Sequence, residues 1–238
     1  MKQRFLFGVL FWMALLNVPV WADKPVPPHS YLIKSSDNRF IFVMLSPKKE
    51  DDDNLRPEEK RQESLRIREH YNISGLYLND ESNTPVWSVS WYSSSIILAS
   101  DGIHLIRQGP WTSSLSDEAL TFFANGKELK SYQVKDFVDS AVLLPHTVSH
   151  FKWEKSVALN EKEHTLTLVT LYNDEYIFDI TTGDITSSHR LSRIIILAAF
   201  GVFACVLVLV TLAWGKIKSA IIHKLSSSKI SVPLSMQS

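Results

Sequence analysis

The residues of this 238-residue chain able to carry chemistry are eight histidines, one cysteine and scattered serines and carboxylates. His146 and His150 stand four apart in His-Thr-Val-Ser-His. On a helix that spacing would put both imidazoles on one face, as a zinc site requires. Pro145 before them and the alternation after them predict a strand instead. On a strand the two rings are about 13 Å apart, too far for one ion. No Glu follows the first histidine, so the zinc-protease pattern is missing as well. In the predicted strand Ser149–Glu154, Phe151 and Trp153 face one way. His150, Lys152 and Glu154 face the other, which puts His150 on the solvent side. Asp101 and His104 share a second stretch, Ser-Asp-Gly-Ile-His, with no third member beside them. With His150 they form the trio from which a hydrolytic site would have to assemble, through contacts distant in sequence.

Other chemistries lack their patterns. There is no G-x-S-x-G elbow, no phosphate-binding Gly-Lys-[Ser/Thr] and no G-x-G-x-x-G. The run Glu50-Asp51-Asp52-Asp53 lacks the alternating spacing and glycine of a calcium loop and reads as a solvated charge cluster. No cofactor and no metal is implied. Four tryptophans remain. Trp87, Trp91 and Trp153 fall on predicted core faces. Trp111, beside Gly109-Pro110 at a strand end, is the one placed to stack on a ligand. The binding candidates are therefore Trp111, Asp101, His104 and His150. Nucleic acid is not an expected partner, because the folded region is acidic.

The element that organises the chain is the run from Ile194 to Trp214, which carries no charge. About 21 residues of helix span roughly 30 Å, the thickness of a bilayer's hydrocarbon core. At the other end Lys2 and Arg4 precede a short apolar segment, and Val-Trp-Ala at 20–22 offers a signal-cleavage site. All 25 acidic residues lie between Asp23 and Asp184, and the segments on either side carry only bases. That asymmetry predicts the domain outside and the tail, with Lys216, Lys218, Lys224 and Lys229, inside. The lone cysteine, Cys205, falls in the span, so the exported domain holds no disulfide. This points to a bacterial envelope; one glycosylation triplet, Asn72-Ile73-Ser74, does not change it.

Between signal and span, apolar runs alternate with turn clusters. Ser36-Asp37-Asn38, Ser100-Asp101-Gly102, Asn125-Gly126 and Asn173-Asp174-Glu175 each sit between two strand-like segments. Such pairs supply the positive φ that tight hairpins need. Trp87, Val89 and Trp91 alternate with serines as one half-buried strand. Residues 46–68 read as a solvated loop or exposed helix with Pro57 in its first turn. Lys135 to Val138 reads as a short helical turn. About nine or ten strands, the last ending near Ile180, predict an all-β antiparallel domain, as a meander, a sandwich or a propeller-like array.

The expected organisation is a signal peptide at 1–22, a β-rich domain at 23–188, a linker at 189–193, a transmembrane helix at 194–214 and a basic cytoplasmic tail at 215–238. The expected function is that of a non-catalytic interaction module. It is anchored in the lipid bilayer, probes the periplasm, and binds an envelope protein or glycan. The alternatives are an envelope hydrolase and a structural subunit of a membrane complex.

Overall fold

Tight turns with left-handed residues punctuate the chain. Asn38 (φ 59°), Asn125 (51°), His164 (51°) and Asn173 (60°), with Gly102 (76°), Gly126 (75°) and Gly183 (77°), all take positive φ. Asparagine and glycine tolerate this region best, which is why the turn clusters were readable from composition. The computed structural model describes residues 27–47 and 57–227. The signal segment and the Glu50–Asp53 run lie outside the described residues, as does the tail beyond Ser227.

Among the described residues the turns join twelve strands. β1 (Tyr31–Lys34), β2 (Phe40–Met44), β3 (Gly75–Leu78) and β4 (Trp87–Ser88) form one sheet in that order. β5 (Ile96–Leu98), β6 (His104–Gln108), β7 (Glu118–Ala124) and β8 (Lys127–Gln133) form the second. β9 (Glu154–Asn160), β10 (Thr165–Thr170), β11 (Glu175–Asp179) and β12 (Ile185–His189) form the third. Each is an antiparallel meander of sequential neighbours, so the all-β expectation holds at the level of class. A 3-10 turn covers Val134–Asp136, where a helical turn was expected.

Alternation along the strands sorts the side chains into layers. From the second sheet Leu98, Leu105 and Phe123 pack with Phe42, Leu76 and Trp87 of the first. On its other face Ile106, Leu120 and Phe122 pack with Leu166, Leu168, Tyr176 and Phe178 of the third. The middle sheet is thus buried on both faces, which is why β7 reads as a nearly continuous apolar run. The first sheet's outer face is covered by helix α1 (Glu58–His70), whose Ile67 joins Tyr71, Ile41, Val43 and Tyr77. Glu58 and Glu59 sit at the positive end of α1, and Arg68 and His70 at the negative end. Only Ser64 and Ile67 of this helix are buried, so it shows no apolar stripe in sequence.

Three expectations are corrected. Ser149–Glu154 is not a strand: only Phe151 pairs, through a single bridge to His146, and β9 starts at Glu154. The ladder at Trp87 stops at Ser88, although Trp87 and Trp91 still turn to one cluster. The last strand is not at Ile180, because β12 follows it, mostly polar and exposed along its whole length. The second compact unit carries one helix, α2 (Leu191–Ser227), which runs well past Trp214. Its 37 residues include one stretch, Phe200–Lys218, long and apolar enough to cross a membrane.

Candidate functional site

The meanders give the β domain two ends. At one, the turns after β1, β5, β7, β9 and β11 come together. Ser36 Oγ donates to Glu161 (3.2 Å), the Ser100 N–H donates to the same carboxylate (3.1 Å), and Arg39 donates to the Ser100 carbonyl (3.0 Å). The Asn125 N–H reaches Ile103 O (2.9 Å) and the Trp87 indole reaches Gly102 O (2.9 Å). Asp101 and His104 lie at this hairpin end. The Asp101 carboxylate takes the N–H groups of Ile103 (2.8 Å) and His104 (2.9 Å) and faces His104 Nδ1 at 2.6 Å. Burial opposes the Asp101 charge, but the His104 ring and these two N–H groups outweigh it and hold the carboxyl below its usual range. Both oxygens of the Asp101 carboxylate are taken up within its own turn. The pair closes the β5–β6 hairpin as an Asx turn.

The other end, the open end, is where β6 and β8 leave their sheet, β9 enters, the β10–β11 turn lies and β12 finishes. Trp111 and His150 lie here. Six residues of β10 separate this end from the Glu161 turn, roughly 20 Å of strand. The trio His104, His150 and Asp101 is therefore not gathered: two members meet and the third is elsewhere.

One wall of the open end begins at Gly109, whose backbone lies so near β7 that a Cβ would fall 1.7 Å from the Glu118 carbonyl oxygen. Only glycine fits that approach, and Pro110 then turns the chain outward. Trp111 is 39% exposed, while Thr112 is buried and takes the Trp153 indole N–H on its hydroxyl (3.1 Å). Asp117 gathers the N–H groups of Ser113 (2.7 Å) and Ser114 (2.9 Å). Its partial burial opposes the charge, and these donors win, so its carboxyl is lowered. The two seryl residues are thereby fixed along a lip.

The facing wall is a miniature hairpin. His146 and Phe151 bridge, the Thr147 N–H donates to His150 O (2.8 Å), and the Lys152 N–H donates to Pro145 O (3.0 Å). His146 Nδ1 lies 2.6 Å from Leu144 O. A carbonyl only accepts, so Nδ1 carries the proton, and Nε2 of the neutral ring is left to accept. Thr147 Oγ1 meets His150 Nδ1 at 2.6 Å, and the His150 ring lies on Trp111 with centroids 3.9 Å apart and planes 24° from parallel.

Between these walls is a cleft of about 320 Å³, lined by Ser113, Ser114, His146, Thr147, Ser149 and His150, with Leu115, Ala141, Val148 and Phe151 supplying apolar surface. No carboxylate, lysine or arginine lines it. The arrangement offers hydroxyls and two imidazoles to an uncharged polar ligand, and Trp111 joins it only through its stacking on His150. Among the described residues no three His, Cys, Asp or Glu side chains gather as a metal site would require. His146 and His150, placed on one strand face by the sequence, instead share this cleft from a loop. Sequence reasoning passed over Ser113, Ser114 and Thr147. The one available signal was the stretch Ser140–Phe151, which has neither a Lys, Arg, Asp or Glu nor a clean period.

No protein-family model matches the chain, and the comparison with curated proteins finds no match.

Proposed function

We propose that the chain is a single-pass membrane-anchored binding protein. Its β domain faces outward, into the periplasm of a bacterial envelope, and holds an uncharged polar segment of an envelope glycan or protein in the open-end cleft. The observation that carries this reading is the half-exposed Trp111 ring laid flat on His150 at a cleft lined by hydroxyls. A large aromatic left in water at a rigid, polar mouth contributes more to a complex than to the fold. The anchor is α2, whose Phe200–Lys218 stretch has the length and hydropathy of a span. The direction follows from the signal segment, with four lysines after the apolar run against Arg190 and Arg193 before it.

Two measurements test it. Protease added to spheroplasts removes the domain and spares the tail; a protected domain reverses the orientation. Envelope glycan fragments and uncharged peptides are titrated against the full chain in detergent, with tryptophan emission as the readout. Saturable binding that disappears in both Trp111→Ala and His150→Ala supports the cleft. Binding indifferent to both variants moves the site elsewhere.

A further inference from the structure

Val142 and Leu143 are the most exposed large apolar side chains in the described structure, at 81% and 83%. They exceed every described residue of α2 in this respect. Yet they do not belong to a loose loop. Val138 before them and Leu144 after them are buried in the core between the second and third sheets. The Leu144 N–H closes a turn onto Ala141 O (3.0 Å), and the Tyr172 hydroxyl donates to Ser140 O (3.1 Å). The Val142 N–H is taken by Ser140 Oγ (3.3 Å). The tip is therefore held out from its base, through the Val142 N–H, the Ser140 carbonyl and the Leu144 N–H. At the hydrated headgroup boundary the remaining tip backbone groups stay within reach of water. From Ser140 to Phe151 there is no Lys, Arg, Asp or Glu whose charge would have to be stripped of water.

Its position in the fold identifies the apolar phase. Tyr172, which holds the tip, belongs to the β10–β11 turn, and Glu175 on the other side of that turn pairs with His189. His189 is the last residue of β12, and α2 starts at Leu191. The tip and the point where the chain leaves for α2 are thus at the same end of the third sheet. The chain therefore passes from this end of the third sheet into α2 through Arg190 alone.

We propose that Val142 and Leu143 form a second, shallow membrane contact that seats in the outer leaflet at the headgroup–acyl boundary, with Tyr172 at the interface behind them. This rests on α2 being the membrane anchor. It adds that the domain lies against the lipid and presents its cleft at the membrane surface.

The test uses the full chain in phosphatidylcholine–phosphatidylglycerol vesicles with lipids carrying a quencher at shallow or deep positions. A fluorophore is placed on the native Cys205, or, in a Cys205→Ser background, on Leu143→Cys, Val142→Cys or the hairpin-end control Lys34→Cys. The expected pattern is deep quenching at Cys205, and shallow quenching at both tip positions several-fold above the background level at Lys34→Cys. Deep quenching at Cys205 with tip labels left in water overturns the second contact while the anchor stands. Tip labels shielded from water yet untouched by lipid quenchers also overturn it, in favour of a protein covering. No lipid quenching at Cys205 removes the anchor and the proposal with it.

Discussion

The hairpin end and the open end of the β domain are made from the same strands and are finished in opposite ways. At the hairpin end a tryptophan, Trp87, is buried and spends its indole N–H on Gly102 O (2.9 Å). At the open end another, Trp111, lies half in water against His150. At the hairpin end the Asp101 carboxylate is taken up by turn N–H groups and the His104 ring; at the open end the His146 and His150 rings line a cleft. Where polar groups are mutually satisfied and aromatics are covered, side chains contribute to folding. Where a rigid scaffold leaves aromatic and polar groups unspent, they are available for binding.

The comparison breaks first at its tryptophans. Trp87→Ala should destabilise the domain by about 3–5 kcal/mol, by leaving a cavity between the first two sheets and an unpaired Gly102 carbonyl. Urea melts of the full chain in detergent measure it. A midpoint that does not move would remove Trp87 from the core.

Gly102→Ala should cost about 1–3 kcal/mol. Its φ is 76°, and the added Cβ would fall 2.5 Å from the Phe40 ring. The same melts apply. A neutral result would mean that the hairpin end yields more readily than its hydrogen bonds suggest.

Acids are lowered at both ends, Asp117 at the open end among them, and one open-end acid is raised. The Ser35 hydroxyl and the Arg39 side chain lower Asp37 to about 2. Asp101 and Asp179 are also lowered, Asp179 chiefly by Thr181. Their folded values lie below their unfolded ones, so their contribution is present above about pH 4 and is lost as pH falls through the folded values. At the open end burial raises Glu154, against the pull of Lys152. Its contribution has the opposite sign: present below the unfolded value and lost as pH rises through the folded one. Asp101→Asn should flatten the acid limb of a stability–pH curve, and Glu154→Gln should raise the curve near neutrality. Acid limbs identical in Asp101→Asn and the parent would refute the assignment.

Trp111→Ala should change stability least, by less than about 1 kcal/mol, while abolishing cleft binding. A loss as large as that of Trp87→Ala would erase the distinction between the two ends.

The turns were legible because they depend on one residue's own backbone energy: Asn38, Asn125, Gly102 and Gly126 announce positive φ wherever they occur. The segment Ser149–Glu154 was misread for a related reason. Its alternation of Phe151 and Trp153 reports that two rings are buried, and burial at a sheet's end looks the same in sequence as burial within a strand. β12 was missed because Ile-Thr-Ser-Ser-His is exposed throughout, and an edge strand without a buried face leaves no periodic signal. α2 continues beyond Trp214 because lysines end a hydropathy run without ending a helix, and Ile217, Ile221, Ile222 and Leu225 recur at helical spacing between them.

By itself the sequence determined the all-β class, the hairpin turns and one apolar helix at the end of the chain. These follow from local torsional preference and local hydropathy. Only the tertiary structure decided which polar residues are spent and which remain available. Asp101 and His104 are three apart and were paired by their own turn, whereas His150 found Trp111 from 39 positions away. That meeting depends on how β6 leaves the second sheet at Gly109 and how β9 enters the third at Glu154. No periodicity within either segment encodes the distance between them, because contacts between sheets are set by packing of whole faces.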